Sequence, residues 1–192
     1  METSKVLDLF KATQALLTGH FELRSGLHSD HYFQCALVLQ HPRIAEQLCA
    51  AVVEKMRLAL GAKLQVQGVI SPALGGLPVG HEIGRALNVR AIFAEKAEGR
   101  LVLRRSFEIK PGEHLVVAED VITRGGRVQE VMDIVTARGG IVEAVCVLVD
   151  RSGGQAGLTA PVFSLIQMVP ATWPPAECPL CRQGRPPVHP GS

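Results

Sequence analysis

Apolar residues recur at roughly helical spacing at Val6, Leu9, Phe10, Leu16 and Leu17, which predicts a helix over residues 4–18, with Ser4 as N-cap and Gly19 as terminator. Residues 20–39 are irregular at first, then aromatic and β-prone. The clearest helix spans 42–60: Pro42 suits a first turn, and Ile44, Leu48, Val52 and Met56 recur every four residues. From there the chain alternates. Short apolar runs at 66–71, 89–96, 114–120, 141–150 and 161–168 read as strands. Helical patterns at 77–87 and 127–140 separate them, the second with Val128, Val131, Met132 and Val135 on one face and Gly139 as terminator. Strands alternating with helices predict an α/β fold with a largely parallel sheet. There is no internal repeat, and the tail from Pro170 onward, rich in Pro, Gly and Cys, is expected to be irregular.

Composition narrows this picture. The 192 residues suit a single domain, and 47% apolar with 20% charged residues is ordinary for a folded globular chain. A net charge of +2 demands neither nucleic acid nor membrane as partner. Aromatics at 4% argue against a stacking platform for single strands. No run reaches the roughly 18 apolar residues of a membrane span. The N-terminus, with Asp8 and two lysines among its apolar residues, reads as an amphipathic helix rather than a secretory signal. Five cysteines, an odd number, point to a reducing compartment, hence the cytoplasm.

Ligands of open α/β sheets bind beyond the carboxyl ends of the strands. Those ends here read Ser71-Pro72-Ala73-Leu74-Gly75-Gly76, Glu95-Lys96, Glu119-Asp120 and Asp150-Arg151. After the third, Thr123, Arg124, Gly125, Gly126 and Arg127 form a Gly-containing turn into a helix, where exposed N–H groups and the helix dipole attract an anion. The two carboxylates before it would repel a bare phosphate but suit diol hydroxyls or a hard cation such as Mg²⁺. An anion acceptor a few residues from a diol acceptor matches a ribose 5-phosphate. By spacing alone, the same layout serves equally as an ordinary strand–turn–helix connection with solvated acids.

The segment LVVAEDVITRGG, residues 115–126, resembles the phosphoribosyl diphosphate signature of type I phosphoribosyltransferases: apolar residues, two acids, then a Thr- and Gly-containing loop. The resemblance implies that Glu119 and Asp120 hold the ribose hydroxyls and that the loop cradles the 5′-phosphate, so that Val121, Ile122, Thr123, Arg124, Gly125, Gly126 and Arg127 all fall in the donor site. Arg124 and Arg127 depart from the family pattern, replacing a Thr and a Ser. Residues 71–80, SPALGGLPVG, match the family's diphosphate loop, implicating Ser71, Gly75 and Gly76. Residues 21–34, FELRSGLHSDHYFQ, are similar to the N-terminal segment of orotate phosphoribosyltransferases. By that match Arg24 reaches the diphosphate, and Tyr32 and Phe33 lie against the pyrimidine; as residues alone, Tyr32-Phe33 is equally a core strand pair. Arg151 matches the Arg that pairs with the orotate carboxylate, with Thr123 as second contact. Lys96 matches a diphosphate-binding Lys. Residues 97–112 would be a mobile lid whose Arg100 and Arg104 join Lys96 as catalytic cations.

The resemblance thus implies a single type I phosphoribosyltransferase domain over residues 1–192, with helices flanking a largely parallel sheet. A small hood would form from the N-terminal segment and the C-terminal tail, residues 170–192. The implied reaction joins orotate to the phosphoribosyl group, with Mg²⁺ held mainly by substrate and a homodimer as assembly. Two alternatives stay in view: transfer to another base, which the segment 21–34 argues against, and a non-catalytic sensor of the donor, which should carry a DNA-binding element or broad basic face. Separately, Cys178-Pro179-Leu180-Cys181 is half of a zinc knuckle, with His189 as a third ligand or a second protomer's pair completing it. Free thiols in a packed tail, or a redox disulfide, are the other readings.

Overall fold

In the computed structural model, which describes residues 1–23 and 25–190, the apolar runs pair into one six-stranded sheet. Its strands are β3 (Gly68–Pro72), β4 (Arg90–Ala97), β5 (Arg100–Leu103), β6 (His114–Ile122), β7 (Ile141–Asp150) and β8 (Val162–Gln167), in the order β5-β4-β3-β6-β7-β8. All neighbours are parallel except β5, which folds back antiparallel on β4. Such a sheet survives only if both faces are covered, and the sequence provides for this with runs apolar at every position. Val116, Ala118, Cys146 and Leu148 join one core cluster with α1 (Thr3–Ala12), α2 (Cys35–Leu39), α3 (Pro42–Leu60) and α4 (Gly76–Leu87). Their neighbours Leu115, Val117, Val145 and Val147 join another with α5 (Gly126–Thr136).

The chain leaves β3 toward β4 on one side and returns to pair β6 on the other. This reversal of winding opens a crevice at the carboxyl ends of β3 and β6. It brings the diphosphate-like loop and the acid pair together.

Two sequence expectations need correction. The helix predicted over 4–18 ends at Ala12, and its N-cap is Glu2, not Ser4. The Thr13 hydroxyl donates to Leu9 O and Gln14 takes a positive φ of 57°, which turns the chain out of the helix. Leu16 and Leu17 then open β1 (Leu16–Glu22) instead of closing a helical stripe. A short apolar pair after a break fits either period, and pairing with β2 (His28–Phe33) decides it. The tail is also more ordered than its composition suggests. β9 (Thr172–Trp173) adds to β2, the short helix α6 (Pro179–Arg182) follows, and Val188 bridges to Phe21. These elements are too short to show periodicity; partners about 150 residues upstream hold them. Together β1, β2 and β9 form the expected hood sheet.

Candidate active site

Three loops meet at the crevice. Glu119 and Asp120 end the apolar stretch of β6, where alternation turns Glu119 inward: it is only 3% exposed, while Asp120 is half-buried. The loop after β3 passes directly over them. A Cβ on Gly75 would stand 3.0 Å from Asp120 Oδ2, and one on Gly76 would stand 3.0 Å from Glu119 Oε1. Only glycine lets backbone approach the carboxylates so closely. Neither acid forms an ion pair among the described residues; Asp120 N–H donates to Glu119 Oε1 and Val121 N–H to Asp120 Oδ1. Burial, and next the charge of Asp120, push the Glu119 carboxyl up to about 8, against a smaller opposing pull from Arg127. A buried acid pair without a cation suits hydroxyl donors or a divalent ion.

The phosphate-type turn follows. Gly125 adopts φ 77° at the N-cap of α5, and a Cβ there would meet Ala156 O at 2.7 Å. Glu119, Asp120, Thr123, Gly125, Gly126 and Arg127 line a cavity of ≈ 110 Å³. Arg127 Nη2 donates to Ala73 O at 2.6 Å, so this departure from the family pattern ties the two anion loops together. Gly125→Ala is expected to destabilise the fold by about 1–3 kcal/mol, from left-handed strain plus the backbone clash. Thermal unfolding checks this; an unchanged melting temperature would contradict the geometry.

A wider cleft of ≈ 650 Å³ adjoins it, lined by Ala73, Leu74, Gly75, Lys96 and Arg127 among others. Lys96 lines this cleft from β4 and is exposed to solvent. Ser71 is buried, with its hydroxyl packed under Gly80 of α4, so it offers the loop its backbone rather than its side chain. Ile122 lies in the core cluster beneath α5 and Val121 packs against the cluster on the opposite face, so both likewise turn their side chains away from the turn. Thr123 and Arg124 are exposed on the turn.

Arg151 follows β7. Buried Asp150 sets the turn by accepting from Ser152 N–H, Ser152 Oγ and Gly154 N–H. Arg151 itself has a buried Nε without a hydrogen-bond partner and no ion pair among the described residues. Burial holds its guanidinium below the usual range, with Tyr32 and Cys35 close enough to oppose this. Cys35, 1% exposed, feels Asp120 and Glu119 as well as Arg151, and burial first of all raises its thiol. The acid pair and the guanidinium thus both act on this buried thiol. The sequence showed Cys35 only as a cysteine in an apolar run, and gave no signal for this position or for the Asp150 turn.

The pair Tyr32-Phe33 splits. Strand alternation sends Phe33 into the core, edge-on to Phe10 at 6.2 Å, which corrects its expected place against the pyrimidine. Tyr32 takes the other face, beside Phe21 at 5.9 Å. In the segment expected as a lid, 97–112, β5 folds back on β4 and residues 104–112 follow as turns and extended chain without regular secondary structure. Phe107 lies edge-on to Phe93 with ring centroids 5.2 Å apart, and Ile109 enters the core. Arg104 and its neighbour Arg105 lie within ion-pair distance of Glu95, and Arg100 is exposed. Arg24 lies outside the described residues. Cys178 and Cys181 lie against His20 and His28, whereas His189 pairs with Glu22 at 2.8 Å and takes no part in that cluster.

No protein-family model matches the chain. It is 50% identical over all 192 residues to a protein of Heliobacterium modesticaldum named orotate phosphoribosyltransferase, covering 99% of that protein. A protein of the same name from Chlorobium phaeobacteroides is 45% identical over 192 residues, covering 97% of it. Among solved structures, orotate phosphoribosyltransferase from Aeropyrum pernix matches with a TM-score of 0.69 at 22% identity, over 85% of this chain and 93% of that one. Adenine phosphoribosyltransferase from Saccharomyces cerevisiae matches with a TM-score of 0.67 at 17% identity, over 84% of this chain and 98% of that one. Structural likeness at such identities speaks to the fold and is shared across bases; the sequence likeness separates them.

Proposed function

The chain belongs to the orotate phosphoribosyltransferase family, and from that premise we infer that it transfers the 5-phosphoribosyl group of 5-phosphoribosyl 1-diphosphate to orotate, giving orotidine 5′-monophosphate and diphosphate for pyrimidine biosynthesis. The observation that carries the choice of acceptor is the guanidinium of Arg151, whose buried Nε has no hydrogen-bond partner among the described residues and which feels the charge of Tyr32. A buried cation without a counter-charge is a site for an anionic ligand, and a carboxylate pairs with a guanidinium through two parallel hydrogen bonds.

In this reading the turn 123–127 binds the 5′-phosphate through backbone N–H groups, with Arg124 and Arg127 at its rim. Glu119 and Asp120 accept from the ribose hydroxyls. The Gly75-Gly76 loop and Lys96 take the diphosphate. Arg151 and Thr123 orient orotate, and Tyr32 lies against its ring. As the C1–N1 bond forms and the C1–O bond to diphosphate breaks, the N1 proton of orotate passes to water or to a basic oxygen of the departing diphosphate, so no strong protein base is needed. The anomeric carbon passes through an oxocarbenium-like state. Holding both substrates in line supplies much of the acceleration. The carboxylates of Glu119 and Asp120 fit a magnesium–substrate complex; bound with the donor, Mg²⁺ would neutralise charge on the leaving diphosphate. Arg100 and Arg104 stand on the β4–β5 hairpin as cations for the same charge. Arg104→Ala is expected to lower kcat about tenfold, the worth of roughly one charge-assisted hydrogen bond, with little change in KM. Wild-type turnover would remove that role.

The free cysteines support a reducing compartment, the cytoplasm, and no helix among the described residues is long and apolar enough to cross a membrane. Assembly as a homodimer rests on the family resemblance, in which the lid commonly reaches a partner's site. The decisive assay mixes protein, Mg²⁺, phosphoribosyl diphosphate and orotate and follows the loss of orotate absorbance. Inactivity with orotate but turnover with adenine would reassign the acceptor.

A further inference from the structure

Four side chains with soft or borderline ligand atoms face one another in the hood, away from the crevice. His20 and His28 come from β1 and β2, Cys178 and Cys181 from the tail, and their ligand atoms all lie within 4.8 Å of one another. His20 Nε2 is 2.8 Å from His28 Nδ1, 3.4 Å from Cys178 Sγ and 3.8 Å from Cys181 Sγ, while Cys181 Sγ is 3.3 Å from His28 Nδ1. His20 and His28 are at most 6% exposed, and Cys178 is fully buried. A zinc ion with Zn–S of ~2.3 Å and Zn–N of ~2.05 Å sets tetrahedral edges of roughly 3.3 Å between nitrogens and 3.5 Å between nitrogen and sulfur. The three nitrogen–sulfur distances lie within about 0.3 Å of the second value, and the two imidazoles need part by about half an ångström.

A second observation concerns His20 alone. Its Nδ1 lies 2.7 Å from Arg185 O. A carbonyl only accepts, so Nδ1 carries the proton and the Nε2 lone pair is turned into the cluster. An outer hydrogen bond that fixes the ligating nitrogen is the usual company of a metal-bound histidine. Neither thiol is in a disulfide.

We propose that His20, His28, Cys178 and Cys181 bind a structural zinc ion that fastens the C-terminal tail to the hood. Binding converts two thiols and two neutral imidazoles into a site with two thiolates. Two protons are released, no electrons move, and the buried complex carries no net charge. Two soft and two borderline donors in a closed tetrahedral set select zinc over magnesium or calcium. The ion closes a loop of about 150 residues between hairpin and tail, where β9 and the Val188 bridge supply only a few hydrogen bonds.

The test uses the full chain, purified without a metal-affinity tag, and measures metal by mass spectrometry. One zinc per chain is expected, lost together with the Cys178→Ser/Cys181→Ser pair of substitutions. Cobalt(II) in place of zinc should give the intense visible bands of tetrahedral sulfur–nitrogen coordination, and chelation should lower the melting temperature by several degrees. Should the double variant fail to fold, His28→Gln and the zinc and cobalt measurements on the wild type still decide. Freely titratable thiols that take up neither metal, a Cys178–Cys181 disulfide in the intact mass, or zinc retained by the folded double variant would each overturn the proposal. None of these readouts depends on turnover of orotate.

Discussion

Replacing Arg151 with alanine is expected to raise the KM for orotate about a hundredfold while leaving that for phosphoribosyl diphosphate within about twofold. A bidentate charge-assisted pair is worth roughly 3 kcal/mol or more, and each 1.4 kcal/mol is tenfold. The same substitution is expected not to lower the melting temperature. Among the described residues Arg151 has no ion pair and its Nε is buried without a partner, so the fold bears the cost of desolvating this cation and gains nothing measurable from it. That combination separates a ligand-binding role from a structural one. A large loss of stability, or equal damage to both substrates, would show that the guanidinium supports the turn and not orotate.

Glu119 sets the second large effect, and it runs with pH. Its carboxyl, raised to about 8 by burial and then by Asp120, stays protonated in the folded chain where an unfolded glutamate has ionised. A raised folded pKa means that the associated stability is complete below the unfolded value and is lost as pH rises through the folded one. The wild type should therefore lose stability between about pH 5 and pH 9. Glu119→Gln, which copies the protonated form, should lack this loss and be about 2–4 kcal/mol more stable than the wild type at pH 9. Urea unfolding at several pH values measures it. The same variant should bind phosphoribosyl diphosphate at least tenfold more weakly at that pH, because an amide oxygen accepts from a ribose hydroxyl less strongly than a carboxylate. If alkaline stability does not diverge, Glu119 is ionised in the folded protein and the pair is solvated. If only donor affinity is unchanged, the diol binds elsewhere.

The sheet and the donor side of the crevice were legible because their signals are local. Runs such as HLVVAED state both burial and the strand end, and the glycine pairs 75–76 and 125–126 mark the turns that follow β3 and β6. Helix α3 was readable to its ends for the same reason. The hood was not. Leu16 and Leu17 carry no sign of which period they follow until Phe33 and Tyr32 pair with them, and Phe33 differs from Tyr32 only by the pleat. Cys178 and Cys181 suggested metal, but their partners are His20 and His28, not the nearby His189, and no spacing rule links residues that far apart. Within the lid segment, Phe107 and Ile109 look like isolated apolar residues among charges until Phe93 and the second core cluster receive them.

The pairing of Ser29 with Thr172, and of Glu22 and His20 with Val188, has a consequence for the order of assembly during synthesis. Contacts that span nearly the whole chain cannot form until its last stretch has been made, whereas β3 to β8 pair in succession as they emerge. A nascent chain stopped before residue 172 would already hold the acids, the glycine turns and Arg151 on a finished sheet. The wall that carries Tyr32 would still lack its third strand. Translation itself should therefore deliver the donor site first and the acceptor wall last.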